Sequence, residues 1–112
     1  MIKVLIVDDD PQVAAAMRRL LQRRGFEVLT AISAAHALPL LGSFAPDVVV
    51  SDFKMPGMNG VELLAEVEKQ RPNARRILLS GHADLAGTPT PYVFMSKPWD
   101  DEQLVRACRG DA

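Results

Sequence analysis

Residues 4–11, VLIVDDDP, place four aliphatic side chains directly before three aspartates and a proline. An apolar run with no polar face is typical of a strand that helices cover on both sides of a parallel sheet. Asp10 can cap a helix whose first residue is Pro11. The stretch therefore predicts a buried strand, a short acidic turn and a helix that follows at once.

Four more short apolar runs, each bounded by polar residues, glycine or proline, repeat this organisation along the chain. Together the runs predict five strands, at residues 3–7, 27–31, 47–51, 76–80 and 92–96. Helices are predicted from Pro11 to just before Gly25, and at residues 33–41, 60–70 and 100–109. The glycines and prolines of residues 81–91 leave room for only a shortened fourth helix. Such alternation predicts an α/β, flavodoxin-like doubly wound (βα)5 fold with a parallel sheet of order 2-1-3-4-5.

The composition of the 112-residue chain, with 48% hydrophobic residues and a net charge of -1, favours one domain over residues 1–112. The weak net charge and the absence of a long apolar segment predict a soluble, cytoplasmic protein without nucleic-acid or membrane binding. Cys108 alone can form neither an intramolecular disulfide nor a thiolate zinc site, and its helical spacing predicts a buried thiol. The basic clusters are interpreted as solvated faces: Arg18, Arg19, Arg23 and Arg24, then Arg71, Arg75 and Arg76.

Polar side chains stand at the ends of four of the predicted strands. Asp8 and Asp9 follow the first strand and Asp52 the third, while Ser80 closes the fourth and Lys97 follows the fifth. Because the carboxyl ends of parallel strands meet at one edge, we expect these side chains around a single crevice. Carboxylates this close repel one another unless a divalent ion neutralises them, and their hard oxygen atoms suit Mg²⁺.

A carboxylate beside Mg²⁺, with a hydroxyl and an ammonium nearby, suits phosphoryl transfer, in which catalysis is chiefly positioning and charge neutralisation. Asp52 would attack the phosphorus and become an aspartyl phosphate. The metal and Lys97 would each bind a phosphoryl oxygen, and Ser80 would donate a hydrogen bond to a third. No general base is required, because the carboxylate is already ionised.

Four motifs in this order, VLIVDDDP, VVVSDFKMPGMNG, ILLSGHA and FMSKPW, make the chain resemble the receiver domains of two-component response regulators. Each motif is weak alone, but four of them at strand ends with compatible spacing are specific. The resemblance implies a signalling domain rather than an enzyme. Asp52 would take its phosphoryl group from a sensor histidine kinase or a phosphotransfer protein. The conformational switch that follows would signal to a downstream effector, and a phosphorylation-dependent homodimer is a further expectation.

The resemblance also implies roles for individual residues. Asp9 would be a direct ligand of Mg²⁺, or of Mn²⁺ in its place, and Asp8 would act mainly through water. Asp52 and the backbone carbonyl of Lys54 would complete the ligands from the protein. Ser80 and Phe94 would form the two-state switch that responds to phosphorylation. A cis peptide is expected between Lys97 and the proline after it.

Two alternatives remain open on the sequence. A haloacid dehalogenase-like phosphatase could use Asp8, Asp10, Ser80 and Lys97, although Gln12 departs from that pattern and Asp52 would have no task. A degenerate receiver would keep the fold only as an interaction module. A separate expectation concerns His82, which could overhang the phosphoryl site because it lies two residues beyond Ser80.

Overall fold

The computed structural model describes residues 1–81 and 92–110 of the chain. These residues form one five-stranded parallel sheet in the order β2-β1-β3-β4-β5, as the sequence predicts. The strands are β1 (Lys3–Val7), β2 (Glu27–Ala31), β3 (Val48–Asp52), β4 (Arg75–Ser80) and β5 (Val93–Ser96). The predicted strand at residues 47–51 is displaced by one residue, so Asp52 is the last residue of β3 and not the first residue after it.

Four helices lie in the described part of the chain: α1 (Pro11–Arg23), α2 (Ala34–Ser43), α3 (Gly60–Gln70) and α4 (Asp101–Arg109). Helix α4 is the helix predicted at residues 100–109. The shortened helix that the sequence predicts within residues 81–91, and His82 with it, lie outside the described residues. None of the described helices is long and apolar enough to cross a membrane.

Helix α1 begins as predicted, because the Asp10 carboxylate accepts hydrogen bonds from the backbone N–H groups of Gln12 (2.9 Å) and Val13 (3.4 Å). Arg24 is the C-cap residue of α1 and lies beyond its last turn. Arg24 is exposed and pairs with Glu102 of α4. The fully or nearly buried residues of α1 are Ala14, Met17, Leu20 and Leu21.

Two apolar cores cover the two faces of the sheet, and the side chains of each strand alternate between them. In β1, Val4 and Ile6 belong to the core beneath α1 and α4, while Leu5 and Val7 belong to the core beneath α2 and α3. Cys108 is completely buried in the first core, which confirms the predicted buried thiol. The alternation also decides on which face of the sheet the polar residues at the strand ends emerge.

Candidate functional site

The strand register brings the polar residues of the carboxyl edge together. Val7 lies opposite Ser51, so Asp8 follows β1 beside Asp52, the last residue of β3. Ser80 pairs with Ser96 at the ends of β4 and β5, so Lys97 leaves the sheet on the far side of Ser80. The predicted meeting of the strand ends is therefore a consequence of the parallel register.

Alternation divides these residues between the two faces of the sheet. Asp52 continues the face of Val50, which belongs to the core beneath α1 and α4, and Asp8 and Lys97 contact one another on that side. Ser80 continues the opposite face, that of Leu78, against whose core Phe94 also packs. The two residues proposed for a switch thus share a face with each other and not with the carboxylates.

Lys97 joins two carboxylates at this edge. Its Nζ atom lies 3.0 Å from Asp8 Oδ2 and 3.1 Å from Asp52 Oδ1. Asp8 is completely buried, Asp52 is 9% exposed, and the Lys97 side chain is 25% exposed. Charges so poorly hydrated are tolerated because each is paired. The contact of Lys97 with Asp8, as well as with Asp52, was not anticipated from the sequence, since it depends on the register of three strands.

The electrostatics of the cluster follow from this burial. Burial raises the pKa of the Asp52 carboxyl above its ordinary value, the hydrogen bond from Lys97 opposes that rise, and the charge of Asp8 adds to it. Burial alone would lower the pKa of the Lys97 ammonium, but its hydrogen bonds to Asp8 and Asp52 outweigh burial and raise it. Lys97 is therefore positively charged at neutral pH and supports the ionised form of Asp52.

Three carboxylates at the edge could hold a metal ion. One oxygen atom each from Asp8, Asp9 and Asp52 lies within 4.8 Å of the other two. Asp9 is exposed, whereas Asp8 also accepts a hydrogen bond from the backbone N–H of Asp10 (2.9 Å). Three negative charges against the single positive charge of Lys97 leave an excess that a divalent cation would balance. Hard carboxylate oxygens suit Mg²⁺ or Mn²⁺, so the donor set fits the expected ion.

The backbone at Asp52 is packed closely from the other side. The Asp52 carbonyl accepts a hydrogen bond from the Ser51 hydroxyl (3.0 Å), and the Gly60 N–H donates to the next carbonyl, that of Phe53 (2.9 Å). A Cβ atom on Gly60 would stand 2.3 Å from the Asp52 carbonyl oxygen and 2.8 Å from Leu78 Cδ1. The sequence analysis missed this close approach, for which a glycine at the first position of a helix is the only signal in the sequence.

Helix α3 is fixed at its start by a capping box. The Asn59 side chain accepts from the Glu62 N–H (2.9 Å), and the Glu62 side chain accepts from the Asn59 N–H (3.0 Å). Leu63, Leu64 and Val67 are then completely buried, whereas Val61 is only partly buried. The cis peptide expected between Lys97 and Pro98 is present. The Lys54 side chain is exposed, and the role expected of its carbonyl stays a prediction.

Comparison with known proteins agrees with this geometry. The family model of the response regulator receiver domain matches residues 4–109. The chain belongs to this family. Receiver domains are signalling domains of two-component systems, so the match does not support the dehalogenase-like phosphatase alternative.

Two similar proteins are transcriptional regulators. The chain is 34% identical over 111 residues to the C4-dicarboxylate transport transcriptional regulatory protein DctD of Rhizobium meliloti, covering 95% of this chain and 24% of that protein. It is 33% identical over 107 residues to the DNA-binding transcriptional regulator NtrC of Escherichia coli K12, covering 91% of this chain and 23% of that protein. The chain thus spans about a quarter of the length of these relatives.

Solved receiver structures have the same fold. A response regulator receiver domain from Clostridium thermocellum superposes with a TM-score of 0.87 at 31% identity, covering 99% of this chain and 94% of that one. The signal receiver domain of an HD domain-containing protein from Pseudomonas fluorescens Pf-5 superposes with a TM-score of 0.86 at 34% identity, covering 98% of this chain and 93% of that one. These likenesses extend over nearly the whole chain.

Proposed function

We propose that Asp52 accepts a phosphoryl group from the phosphohistidine of a sensor histidine kinase or a phosphotransfer protein, in a reaction that depends on Mg²⁺. The observation that carries the proposal is the contact of Lys97 Nζ with Asp52 Oδ1 at 3.1 Å, in a cluster that also holds Asp8 and Asp9. An ammonium held beside a buried carboxylate supplies both an ionised nucleophile and a positive charge for the incoming phosphoryl oxygens.

In the proposed step, one carboxylate oxygen of Asp52 forms a bond to phosphorus while the bond from phosphorus to the donor's imidazole nitrogen breaks. Lys97 then turns one of its hydrogen bonds from Asp52 to a phosphoryl oxygen, and its contact with Asp8 keeps the ammonium at the site. The carboxylate needs no base, since Lys97 favours its ionised form. The product is an aspartyl phosphate.

A divalent cation would be held by the acidic group of this edge. Asp9, which is exposed, would be a direct ligand together with Asp52 and the Lys54 carbonyl. Asp8 would act mainly through water, which suits a carboxylate whose two oxygen atoms already accept from Asp10 and Lys97. When bound, Mg²⁺ or Mn²⁺ would neutralise negative charge on the phosphoryl oxygens.

The switch that follows would use the opposite face of the sheet. Ser80 is 1% exposed at the end of β4, and its hydroxyl would move to donate a hydrogen bond to a phosphoryl oxygen of modified Asp52. Phe94, partly buried on the same face, would follow into the space that the hydroxyl leaves. Phe94 lies on β5, an edge strand, so its movement would alter a surface that an effector or a second copy of the chain could read.

Intact-mass measurement after incubation with acetyl phosphate and Mg²⁺ tests the phosphoacceptor directly. We expect one phosphoryl adduct on the wild type and on Asp10→Asn, whose side chain caps α1 outside the cluster. We expect none on Asp52→Asn, and none on the wild type in excess chelator. An adduct on Asp52→Asn at the wild-type rate would refute the assignment. A wild type that is never modified would indicate the degenerate receiver instead.

A further inference from the structure

A second polar surface lies at the opposite edge of the sheet, where the strands begin. It is an open groove of about 720 Å³ between the loops that precede β3 and β4 and the last residue of α4. The described residues that line it include Arg71, Arg75 and Arg109, and among them one carboxylate, that of Asp47. Neither the phosphoacceptor chemistry nor the switch uses any of these residues.

No carboxylate of the described residues neutralises the arginines of this groove. Within residues 1–81 and 92–110, none of the three guanidinium groups pairs with a carboxylate, whereas Arg24 pairs with Glu102 and Arg76 with Glu68. The one acidic group of the groove, Asp47, already accepts a hydrogen bond from the Lys3 N–H at 2.9 Å. Among the described residues, the groove therefore carries more positive than negative charge, although the whole chain has a net charge of -1.

Two of the arginines are held in place by neutral groups. The Arg109 guanidinium lies over the Phe26 ring, 5.6 Å from its centroid, and donates to the Arg24 carbonyl at 3.2 Å. The Arg75 guanidinium packs against Gly110, where an added Cβ atom would stand 2.1 Å from it. Side chains ordered before a ligand arrives lose less conformational entropy when they bind it.

The chemistry of the groove selects the ligand. Guanidinium groups bind carboxylates and phosphates in a bidentate manner. Helices α3 and α4 both end at the groove, and the carbonyl groups of helix C-termini carry partial negative charge, which disfavours a compact dianion. A peptide with acidic side chains offers carboxylates to the arginines and backbone N–H donors to carbonyl groups. Pro46, Pro72 and Ala74 add apolar wall for its other side chains.

We propose that this groove is a docking site for an acidic peptide segment of a partner protein, separate from the site at Asp52. The partner would present at least two aspartate or glutamate residues to Arg71, Arg75 and Arg109. Because the groove lies at the start of the strands, docking there leaves the carboxyl edge open to a phosphoryl donor.

Nuclear magnetic resonance titration of the ¹⁵N-labelled 112-residue chain tests the proposal. The probe is a blocked synthetic peptide that alternates glutamate and alanine, with its glutamine counterpart as the neutral control. We expect the acidic peptide to shift the amide resonances of Arg71, Ala74, Arg75 and Gly110, and the neutral peptide to leave them unchanged. Shifts spread evenly over every basic face, or equal shifts with the neutral peptide, would overturn the proposal.

Matched variants locate the binding charge. Arg71→Met with Arg75→Met should weaken binding about tenfold or more, since each removes a charge-assisted hydrogen bond. Arg18→Met with Arg19→Met removes the same charge from exposed positions of α1 and should leave the affinity unchanged. Equal weakening by both pairs would reduce the effect to bulk electrostatics and refute a specific groove.

Two further titrations test whether the groove prefers the acidic peptide to other anions. Pyrophosphate and a short single-stranded DNA oligonucleotide are titrated under the same conditions. Weak, diffuse shifts with both are expected. If either one saturates the groove resonances while the acidic peptide does not, the site takes phosphates or nucleic acid and the peptide proposal is wrong.

Discussion

The two edges of the sheet carry their charges in different ways. At the carboxyl edge, Lys97 and its partners Asp8 and Asp52 are largely buried and joined by contacts of 3.0 and 3.1 Å. At the opposite edge, Arg75 and Arg109 are exposed and have no carboxylate partner among the described residues. Buried charges must be paired because they have lost their water, whereas exposed ones can stay unpaired. Internal pairing thus fixes the geometry of the first edge, and the charges of the second remain available to a ligand.

Gly60→Ala should have the largest effect on stability, because it forces a Cβ atom to 2.3 Å from the Asp52 carbonyl oxygen. We expect the free energy of unfolding to fall by about 2–3 kcal/mol. Urea denaturation measures the change. The control is Gly42→Ala in α2, where an added Cβ meets nothing within 4 Å and a better helix former should stabilise slightly. If Gly60→Ala were as stable as Gly42→Ala, the close packing behind Asp52 would not be a constraint.

The close packing of Gly60 against Asp52 could not be predicted from the sequence, although the fold could. The strands and their order follow from apolar runs and from the handedness of parallel connections, which are local and general properties. The meeting of Lys97 with Asp8 and the approach of Gly60 to Asp52 depend on register and on the distance between elements, which no single segment encodes. The ion pair between Arg24 and Glu102 depends on tertiary packing in the same way, since the two residues are 78 positions apart in the sequence.

Lys97→Met should strongly slow the phosphorylation of Asp52 at the carboxyl edge. The variant keeps an apolar stem but removes the ammonium that contacts Asp52 and Asp8. We expect phosphorylation by acetyl phosphate to slow about 100-fold or more. The reaction is monitored by measuring the intact mass of the protein over time. Lys69→Met removes an exposed lysine that pairs with Glu66, far from Asp52 in the described residues, and this variant should react at the wild-type rate. A wild-type rate in Lys97→Met would show that the buried pairing has no part in the reaction.

The raised pKa of Asp52 predicts a dependence of stability on pH. Because the pKa of Asp52 is higher in the folded protein, the folded state favours the protonated carboxyl. The folded state therefore loses stability as the pH rises from the pKa of Asp52 in the unfolded chain, about 3.9, through its pKa in the folded protein. In chelator at neutral pH, Asp52→Asn should therefore raise the free energy of unfolding, and the gain should vanish below the pKa that Asp52 has in the unfolded chain. Asp10→Asn, an exposed cap, should show no gain. A gain that stayed constant with pH would not come from the Asp52 charge.

The smallest effect is expected from the exposed ion pair between Arg24 and Glu102, in which the side chains are 37% and 61% exposed. The hydrogen bond from Arg24 lowers the pKa of Glu102, so any stability from the pair is present above the ordinary glutamate pKa and is lost as pH falls through the lowered value. Water and salt screen a pair this exposed. Glu102→Gln should leave the midpoint of thermal unfolding unchanged within error at neutral pH, in low and in high salt. A midpoint lowered by several degrees would show that an exposed ion pair can stabilise the fold as strongly as a buried one.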